Sequence, residues 1–405
     1  MLTLQTAARP RATGKLGLAL AGGGPLGAFY ELGALQALTE CVRGFDPCDL
    51  HAYAGVSSGA MLAAGLANGL TPVDMGRLTI SHEGGLDPAH PGLFLQPAYS
   101  EYARRLARLP GLALEALAQY ARAPLTQGLA EALAPLAAAL PAGLLDSAPF
   151  ERYLRRLYGG AGRSNDFRRL KRRLFVVATN LNTGEAARFG EPGLDHVPVS
   201  RAVQASTALP GLYSPVEFDG ETYADGALLR TMHASVVLEA GADLLFGINP
   251  LVPFDASEDA EGARGIELTR HGLPVVLGQT FRSLIRSRMQ VGVAAYQDRF
   301  PRAEILLLEP DRGDRRMFFG NVFRYADRRQ LVDHAFAATR RDLQKHARRL
   351  APVLARHGLA LDRGALTDPA RSFQAALEQR RRRDRAVAQD LGAALDRLER
   401  LLARA

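Results

Sequence analysis

Residues 16–27 read LGLALAGGGPLG, and this stretch decides the fold. Its first six residues form a continuous apolar run, which three glycines bring to an end. Ala28, Leu32, Leu35 and Leu38 then recur at helical spacing. The pattern predicts a buried strand, a glycine turn and a helix.

The same pattern returns further along the chain. An apolar run at 53–56 is followed by a Ser-Ser-Gly turn at 57–59 and by an Ala/Leu-rich helix. More β-rich apolar runs lie at 174–179, 244–248 and 305–308. Repeated strand-turn-helix units favour a parallel sheet that is covered by helices on both faces. We therefore predict an α/β fold, a three-layer α/β/α sandwich with a mainly parallel central sheet.

Two regions depart from this pattern. Residues 71–145 are rich in Ala, Leu and Pro, which predicts a helical insertion over the sheet. From Gln330 onwards the chain is helical and arginine-rich, which predicts a helical C-terminal extension. Residues 373–405 are predicted to form a basic amphipathic helix without evident core partners.

Composition narrows the range of partners. The 405 residues are 47% hydrophobic and 23% charged, as in ordinary globular proteins. The formal charge of +8 comes from arginine, with runs at 168–173 and 380–385. Such runs are commonly solvated helix faces, and the alternative is attraction to an anionic partner. They lack interleaved aromatic residues, so we expect no nucleic-acid partner and favour an anionic membrane surface.

Cys41 and Cys48 are the only cysteines, and no histidine cluster accompanies them. We expect free thiols in a reducing compartment, the cytoplasm, and no metal site. The apolar run at 16–21 is short for a signal peptide and leads directly into glycines, so a strand is favoured. No stretch of about twenty residues is free of charges and helix breakers, so no spanning helix is expected.

The glycine loop at residues 22–27 precedes a predicted helix, where unpaired backbone N–H groups favour negative charge. One interpretation is a phosphate cradle of the G-x-G-x-x-G type, but its acidic ribose ligand would be Glu40, which falls at a helix end. Another is an oxyanion hole formed by the N–H groups of Gly23 and Gly24. A tight turn without further function is the third.

Ser57 is the central residue of a G-x-S-x-G motif that runs from Gly55 to Gly59. Small flanking residues allow a tight strand-to-helix turn that presents the serine at the end of a sheet. The position between an apolar run and an Ala-rich helix fits that geometry. The alternative is that Ser58 caps the following helix, which would give this serine pair a structural role only.

A serine nucleophile requires a base. The histidines considered lie in loops, on charged helices or at the far end of a strand, and none has a distinctive motif; they are His51, His196, His233, His334 and His346. Asp225 follows a predicted hairpin turn and precedes a helical segment. Its Asp-Gly pair is by itself a turn signal.

Together, the glycine loop, Ser57 in its motif and Asp225 in Asp-Gly-Ala resemble the patatin-like phospholipases. The resemblance covers about residues 15–250, and weakly extends to about 345. It includes three further segments: ATNLNTG at 178–184, AVQASTALP at 202–210 and GAD at 241–243.

The resemblance implies a Ser57–Asp225 dyad without histidine, oxyanion donors from Gly22, Gly23 and Gly24, and no cofactor. It implies hydrolysis of carboxylic esters in lipids, of the phospholipase A or esterase type, through an acyl-enzyme. The remaining motif positions that it identifies are Gly27, Gly55, Gly59, Gly226 and Ala227. Leu26 stands where many members have a basic residue, Pro25 has no N–H, and 231–233 replace the common Asn-x-Pro.

These observations predict a catalytic domain at 15–250, with a lid-like helical insertion at about 86–143. Residues 251–372 would complete the core with a strand near 305–308 and helices, and 373–405 would form the basic tail. The expected partners are a lipid or ester substrate and, peripherally, a membrane. A Ser-His-Asp hydrolase that uses His233 or His334 and a non-catalytic lipid-binding scaffold are the alternatives.

Overall fold

A computed structural model describes residues 1–7, 9–81, 91–122, 134–258, 268–320 and 324–402. Its strands, in chain order, are β1 Leu2–Gln5, β2 Leu16–Leu20, β3 Val42–Arg43, β4 Ala52–Val56, β5 Gly143–Leu145, β6 Arg173–Asn180, β7 Ala186–Phe189, β8 Gly211–Tyr213, β9 Val216–Phe218, β10 Glu221–Asp225, β11 Leu244–Ile248, β12 Glu304–Leu308 and β13 Ala360–Leu361.

Its α-helices, in chain order, are α1 Gly24–Cys41, α2 Ser58–Ala67, α3 Pro72–Gly76, α4 Tyr99–Arg122, α5 Ala148–Tyr158, α6 Val199–Ser206, α7 Ala234–Glu239, α8 Leu273–Arg299, α9 Arg315–Phe319, α10 Tyr325–Lys345, α11 Ala347–Arg356, α12 Arg363–Thr367 and α13 Phe373–Leu402. Among the described residues, no helix is both long enough and apolar enough to cross a membrane.

The main sheet has the strand order β1-β12-β11-β2-β4-β6-β10-β9. Strand β7 also pairs with β6 but stands outside this order. The five strands from β12 to β6 run parallel to one another, whereas β1, β7, β9 and β10 pair antiparallel. The predicted α/β fold with a mainly parallel central sheet is confirmed, with antiparallel strands added at both sides.

Each central strand supplies two hydrophobic layers because successive side chains point to opposite faces. In β2, Leu18 and Leu20 belong to the larger core cluster, whereas Ala19 belongs to the smaller one. The larger cluster contains α1, α2 and α10, and the smaller contains α7 and Tyr296 of α8. The alternation accounts for a sheet that is covered by helices on both faces.

The helix pair α1–α10 is closely packed on the larger face. A Cβ atom on Gly33 would lie 2.5 Å from the Val332 carbonyl oxygen, so only glycine lets the two helices approach this closely. The C-terminal part of the chain therefore forms part of the main core, together with β12.

The predicted insertion contains α4 and a 3₁₀ helix at Ala134–Ala139, which pack on each other. Residues 86–90 and 123–133 of this region lie outside the described residues. The base of the insertion is held next to the sheet, because β5 pairs with β8 and the Tyr213 hydroxyl donates to the Phe94 carbonyl.

The C-terminal helix α13 differs from the expectation that 373–405 lacks core partners. Phe373 and Leu377 are buried in the main core, and Arg380 forms an ion pair with Asp74 of α3. The reason is that the first turns carry apolar side chains four residues apart, which face the core on one side of the helix. From Arg382 onwards the helix is mostly exposed.

Candidate active site

Ser57 lies at the turn between β4 and α2, and its backbone is unusual. It has φ 53° and ψ −123°, and Asp219 is the other described non-glycine residue with positive φ. A Cβ atom on Gly59 would lie 2.5 Å from the Ala21 carbonyl oxygen, and one on Gly55 would lie 2.5 Å from the Ala60 Cα. The motif glycines are therefore required by the close approach of backbone, as in a nucleophile elbow.

A buried serine supports this strained turn. The Ser57 backbone N–H donates to the Ser206 hydroxyl oxygen at 2.8 Å, and the Ser206 hydroxyl donates to the Val177 carbonyl at 2.6 Å. Ser206 is fully buried at the end of α6. In the sequence, Ser206 belongs to the 202–210 segment, and no role is predicted for it. The one signal is that a polar residue stands in a largely apolar stretch.

Asp225 is brought to Ser57 through the sheet. Strand β6 lies between β4 and β10, where Val177 is opposite Val56 and the neighbouring Ala178 is opposite Asp225. The two predicted catalytic residues thus lie at the same edge of the sheet. The Ser57 hydroxyl lies close enough to the Asp225 carboxylate to lower the pKa of that carboxyl.

The Asp225 carboxylate is almost completely buried, with 2% of the residue exposed. Burial raises its pKa to about 6, against the opposing effects of the nearby Ser57 hydroxyl and of the hydrogen bond from the Ala227 N–H at 2.8 Å. The Asp225 backbone N–H donates to the Ala208 carbonyl at 2.9 Å, which fixes the end of β10. A buried carboxylate of this kind is a better proton acceptor than an exposed one at neutral pH.

The glycine loop faces the serine. A Cβ atom on Gly22 would lie 3.2 Å from both the Ser57 Cβ and the Ala227 Cβ. The Gly22 N–H donates to the Thr231 carbonyl at 3.0 Å, so this predicted oxyanion donor is already engaged. Within the described residues, the N–H groups of Gly23 and Gly24 have no hydrogen-bond acceptor, and α1 begins at Gly24.

The remaining motif residues hold these segments together. A Cβ atom on Gly23 would lie 2.6 Å from Pro250 Cγ, and one on Gly27 would lie 2.8 Å from the same atom. A Cβ atom on Gly226 would lie 2.2 Å from the Val177 carbonyl oxygen, so no side chain fits at this position. Ala227 packs on Val177 beneath the site. All the predicted site residues therefore belong to one region.

The histidines that the structure describes do not hydrogen-bond to Ser57. Four of the candidates have other partners, which are Ala240 for His51, Asp219 for His196, Asp314 for His334 and Asp342 for His346. His233 is buried beside the Gly226 backbone, and burial with the nearby Arg230 and Arg188 lowers its pKa to about 3. His233 is thus a weak base.

The phosphate-cradle interpretation lacks its acidic ligand. Glu40 lies near the opposite end of α1 from the glycine loop, where it pairs with Arg371. In the described part of the chain, no group of three His, Cys, Asp or Glu side chains could hold a metal ion. Cys41 and Cys48 are both free thiols.

Comparison with known proteins gives short sequence matches and distant structural neighbours. Proteins described as uncharacterized NTE family proteins of Mycobacterium bovis and Mycobacterium tuberculosis are 32% identical over 74 residues, which is 18% of this chain and 19% of theirs. The chain thus spans about a fifth of the length of these curated relatives.

Among solved structures, VipD from Legionella pneumophila has a TM-score of 0.38 at 18% identity, over 85% of this chain and 70% of that chain. The complex of ExoU with SpcU, from the type III secretion system of Pseudomonas aeruginosa, has a TM-score of 0.23 at 17% identity, over 74% of this chain and 54% of that chain.

A family model described as Patatin-like phospholipase matches residues 18–238, which is more than half of the sequence. The match contains the glycine loop, Ser57 and Asp225. The chain belongs to the patatin-like phospholipase family.

Proposed function

We propose that this protein is a lipid acyl hydrolase that cleaves carboxylic esters through a Ser57–Asp225 dyad and an acyl-enzyme. The observation that carries the proposal is the proximity of the strained Ser57 to the buried Asp225 carboxylate, opposite a glycine loop in which Gly23 and Gly24 N–H groups have no acceptor among the described residues. Membership of the patatin-like phospholipase family implies a serine hydrolase and supports this assignment.

In the proposed acylation step, the Ser57 Oγ attacks the ester carbonyl carbon and its proton passes to Asp225. The N–H groups of Gly23 and Gly24 stabilise the oxyanion, because donors already in place cost no reorganisation. The tetrahedral intermediate collapses to acyl-Ser57, and the leaving alkoxide takes the proton from Asp225. Leu26 adds no positive charge here, and Pro25 adds no N–H group.

Deacylation repeats the same proton transfers with water as the nucleophile. Asp225 accepts a proton from water, the hydroxide attacks the acyl-Ser57 carbonyl, and the same N–H groups stabilise the second oxyanion. The proton then returns to Ser57 Oγ as the fatty acid leaves. Asp225 therefore acts as base and acid in turn.

The first test is hydrolysis of phospholipids, lysolipids and short p-nitrophenyl esters by purified variants. Ser57→Ala and Asp225→Asn are each expected to remove nearly all activity, and the double variant to be no worse, because the two side chains act as one unit. Ser58→Ala and Asp219→Asn are matched controls, since one is adjacent and the other is an exposed aspartate before β10. Both are expected to retain activity.

The second test separates the dyad from a triad. His51, His196, His233, His334 and His346 are each replaced by Gln, and folding is checked by thermal melting. Each folded variant is expected to retain most of its activity, whereas a triad would lose several orders of magnitude with its histidine. One folded histidine variant as inactive as Ser57→Ala would contradict the dyad. A wild-type protein that binds lipid without hydrolysing any ester would instead indicate a scaffold.

A further inference from the structure

A small cavity lies beside the segment that follows Asp225. Its volume is about 200 Å³, and it is bounded by residues 227–232 on one side and by α8 on the other. Its walls are largely apolar and include Phe281, Ile285 and Met289. This volume is below the roughly 300–1,000 Å³ of pockets that enclose drug-sized ligands. The cavity therefore suits a short group and not a long acyl chain.

One wall of this cavity lies close to the proposed active site. Ala227 lines the cavity, and its Cβ lies 3.2 Å from the point that a Gly22 Cβ would occupy. The Ser57 Cβ lies 3.2 Å from the same point, so the two side chains are neighbours. Thr231 also lines the cavity, and its carbonyl accepts the Gly22 N–H. Ser57 does not itself line the cavity, so the side chain of Ala227 separates the cavity from the serine.

Arg230 and Arg288 bring two positive charges to this otherwise apolar cavity. Both are exposed, and within the described parts of the chain neither has a carboxylate partner. Arg288 donates to the Leu228 carbonyl at 3.3 Å, and Arg230 lies near the Tyr296 hydroxyl, whose pKa it lowers against the larger effect of burial. By contrast, Arg299 at the end of α8 is paired with Glu239.

These contacts position the two arginines without neutralising them. A carbonyl and a hydroxyl are neutral, so the net charge of each guanidinium group remains. Each guanidinium has five N–H donors in a planar fork, which suits the oxygens of a phosphate group. The two side chains come from different elements, the turn after β10 and α8, so they approach the cavity from opposite walls.

We propose that Arg230 and Arg288 form a phosphate subsite that binds the phosphate group of the substrate while its ester lies at Ser57. This proposal rests on the proposed function, because that function places the ester of the substrate at Ser57. The short cavity would hold the group that links ester and phosphate, as in a glycerophosphate ester. The subsite would supply the positive charge that Leu26 does not provide at the glycine loop.

The test compares two esters with the same acyl chain, a lysophosphatidic acid and the monoacylglycerol that lacks its phosphate. In the Arg230→Gln, Arg288→Gln double variant, kcat/KM for the phosphate-bearing ester is expected to fall at least 30-fold, mainly through KM, since charge-assisted hydrogen bonds to phosphate are lost. For the monoacylglycerol, kcat/KM is expected to change less than twofold. The Arg348→Gln, Arg349→Gln double variant, which removes two exposed arginines on α11, is the control for net charge.

A binding experiment makes the result independent of catalysis. Ser57→Ala protein is titrated with a non-hydrolysable ether analogue of the lysophosphatidic acid, with and without the two arginine substitutions. Weaker binding in the triple variant supports the subsite, even if no ester is hydrolysed and the proposed function fails. Inorganic phosphate is titrated in parallel: tight binding that needs both arginines, with no effect of the arginines on the ether analogue, would assign the site to free phosphate and overturn the lipid proposal.

Two other outcomes would also overturn it. Equal losses on both esters would show that the arginines support the local structure and do not recognise phosphate. Unchanged kinetics on both esters, together with unchanged binding of the ether analogue, would show that there is no subsite at this cavity.

Discussion

At the scale of single residues, the site depends on a carboxylate held where ionisation is unfavourable. Asp225 is buried, accepts a hydrogen bond from the Ala227 N–H and lies beside the Ser57 hydroxyl. Both neighbours favour the charged form, but desolvation outweighs them and leaves the pKa at about 6. The proposed base is therefore ionised at neutral pH and close enough to its pKa to take up a proton.

This balance predicts the acid limb of the pH–rate profile. Protonated Asp225 cannot accept the Ser57 proton, so kcat/KM should fall about tenfold per pH unit below the pKa and be level above it. With a pKa raised to about 6, the limb should be centred near pH 6. A pH-stat assay with a soluble ester measures this directly. A limb centred near pH 4, as expected for an exposed aspartate, would contradict the argument.

Ser206 gives a second prediction at this scale. Ser206→Ala leaves the Ser57 N–H and the Val177 carbonyl without their partner, and an unsatisfied buried group costs about 1–3 kcal/mol. We expect a lower melting temperature and a reduction of kcat of at least tenfold, because the strained turn is no longer held. Thermal melting and steady-state kinetics measure the two effects.

The matched control for Ser206 lies on the same helix. Ser200 is also buried and hydrogen-bonded, but its hydroxyl donates to Glu151, away from the site. Ser200→Ala should lower the melting temperature and leave kcat almost unchanged. If both variants lost kcat equally, Ser206 would have no special part in positioning Ser57.

The sequence predicts some of these residues and misses others for physical reasons. Ser57 and Asp225 lie in motifs whose neighbouring residues must be small for steric reasons. The residue types in these motifs therefore indicate the local backbone geometry. Ser206 acts through one side-chain hydrogen bond to a residue 149 positions away, which no local pattern reveals. The hydrogen bond of the Gly22 N–H is also invisible to a local pattern, because its acceptor, the Thr231 carbonyl, comes from another part of the chain.

At the scale of elements, α4 is notable for an exposed apolar face. Leu106, Leu114 and Leu117 are 63%, 69% and 65% exposed, and they share one side of the helix. The insertion is anchored at β8, just after the Ser206–Ala208 segment that supports both Ser57 and Asp225. We therefore keep the prediction that this insertion is a lid that opens at a lipid surface.

Replacement of Leu106, Leu114 and Leu117 by Ser tests the lid. We expect loss of the rate gain on aggregated over monomeric ester, unchanged hydrolysis of the monomeric ester, and a change in unfolding free energy within about 0.5 kcal/mol, as for surface sites. Arg108 and Glu115 lie on the opposite face, so their replacement by Ser is the control. A wild-type enzyme without any interfacial gain would contradict the lid.

The C-terminal helix α13 gives the other prediction at this scale. Arg382, Arg383 and Arg385 are exposed, whereas Arg380 pairs with Asp74 and Asp384. Replacement of the three exposed arginines by Gln should weaken binding to anionic vesicles, and added salt should weaken wild-type binding, since screening acts over about 8 Å at physiological ionic strength. Vesicle sedimentation measures both effects.

The control for this experiment removes the same charge elsewhere. It replaces three exposed arginines that lie outside α13, which are Arg348, Arg349 and Arg363. If both triple variants bind anionic vesicles equally, α13 has no particular role in docking. Deletions should begin after Arg385, because Phe373 and Leu377 belong to the core.

The elements that the sequence predicts best are the central parallel strands. The strands β2, β4, β6, β11 and β12 are buried on both faces over most of their length, so each contains a continuous apolar run of at least four residues. The antiparallel strands β7, β9 and β10 are short and partly exposed, and their alternation is too brief to identify. β1 pairs with β12, three hundred residues later, and has no local signal of its own.

At the scale of the whole molecule, residues 251–372 are predicted to complete the catalytic core, and the sheet supports this proposal. β12 pairs with β11 on one side and β1 on the other, and α10 packs closely on α1 around Gly33. A catalytic domain that ended near residue 250 would expose the edge of β11 and the outer face of α1.

This arrangement predicts that the proposed domains fold together. A fragment of residues 15–250 should be insoluble or lack a cooperative thermal transition, because it loses a core strand and the helix that covers α1. A fragment of residues 1–385 keeps both elements and should melt close to the full chain in a single transition. Circular dichroism and differential scanning fluorimetry provide the comparison. A soluble, active 15–250 fragment would contradict the prediction.

The position of β2 in the sheet has a consequence for synthesis on the ribosome. Leu18 pairs with Tyr53 on one side, which is made soon afterwards, but with Phe246 on the other. At about 5–20 residues per second, translation needs roughly 10–45 s to supply that second neighbour. Throughout this interval the apolar edge of β2 and the glycine loop have no cover, and a nascent chain released before β12 emerges should remain sensitive to protease. Aggregation and proteolysis through this open edge compete with folding. A lower temperature that slows them, or a chaperone that covers the edge, should therefore raise the yield of folded protein. A change in the rate of translation initiation should have a smaller effect.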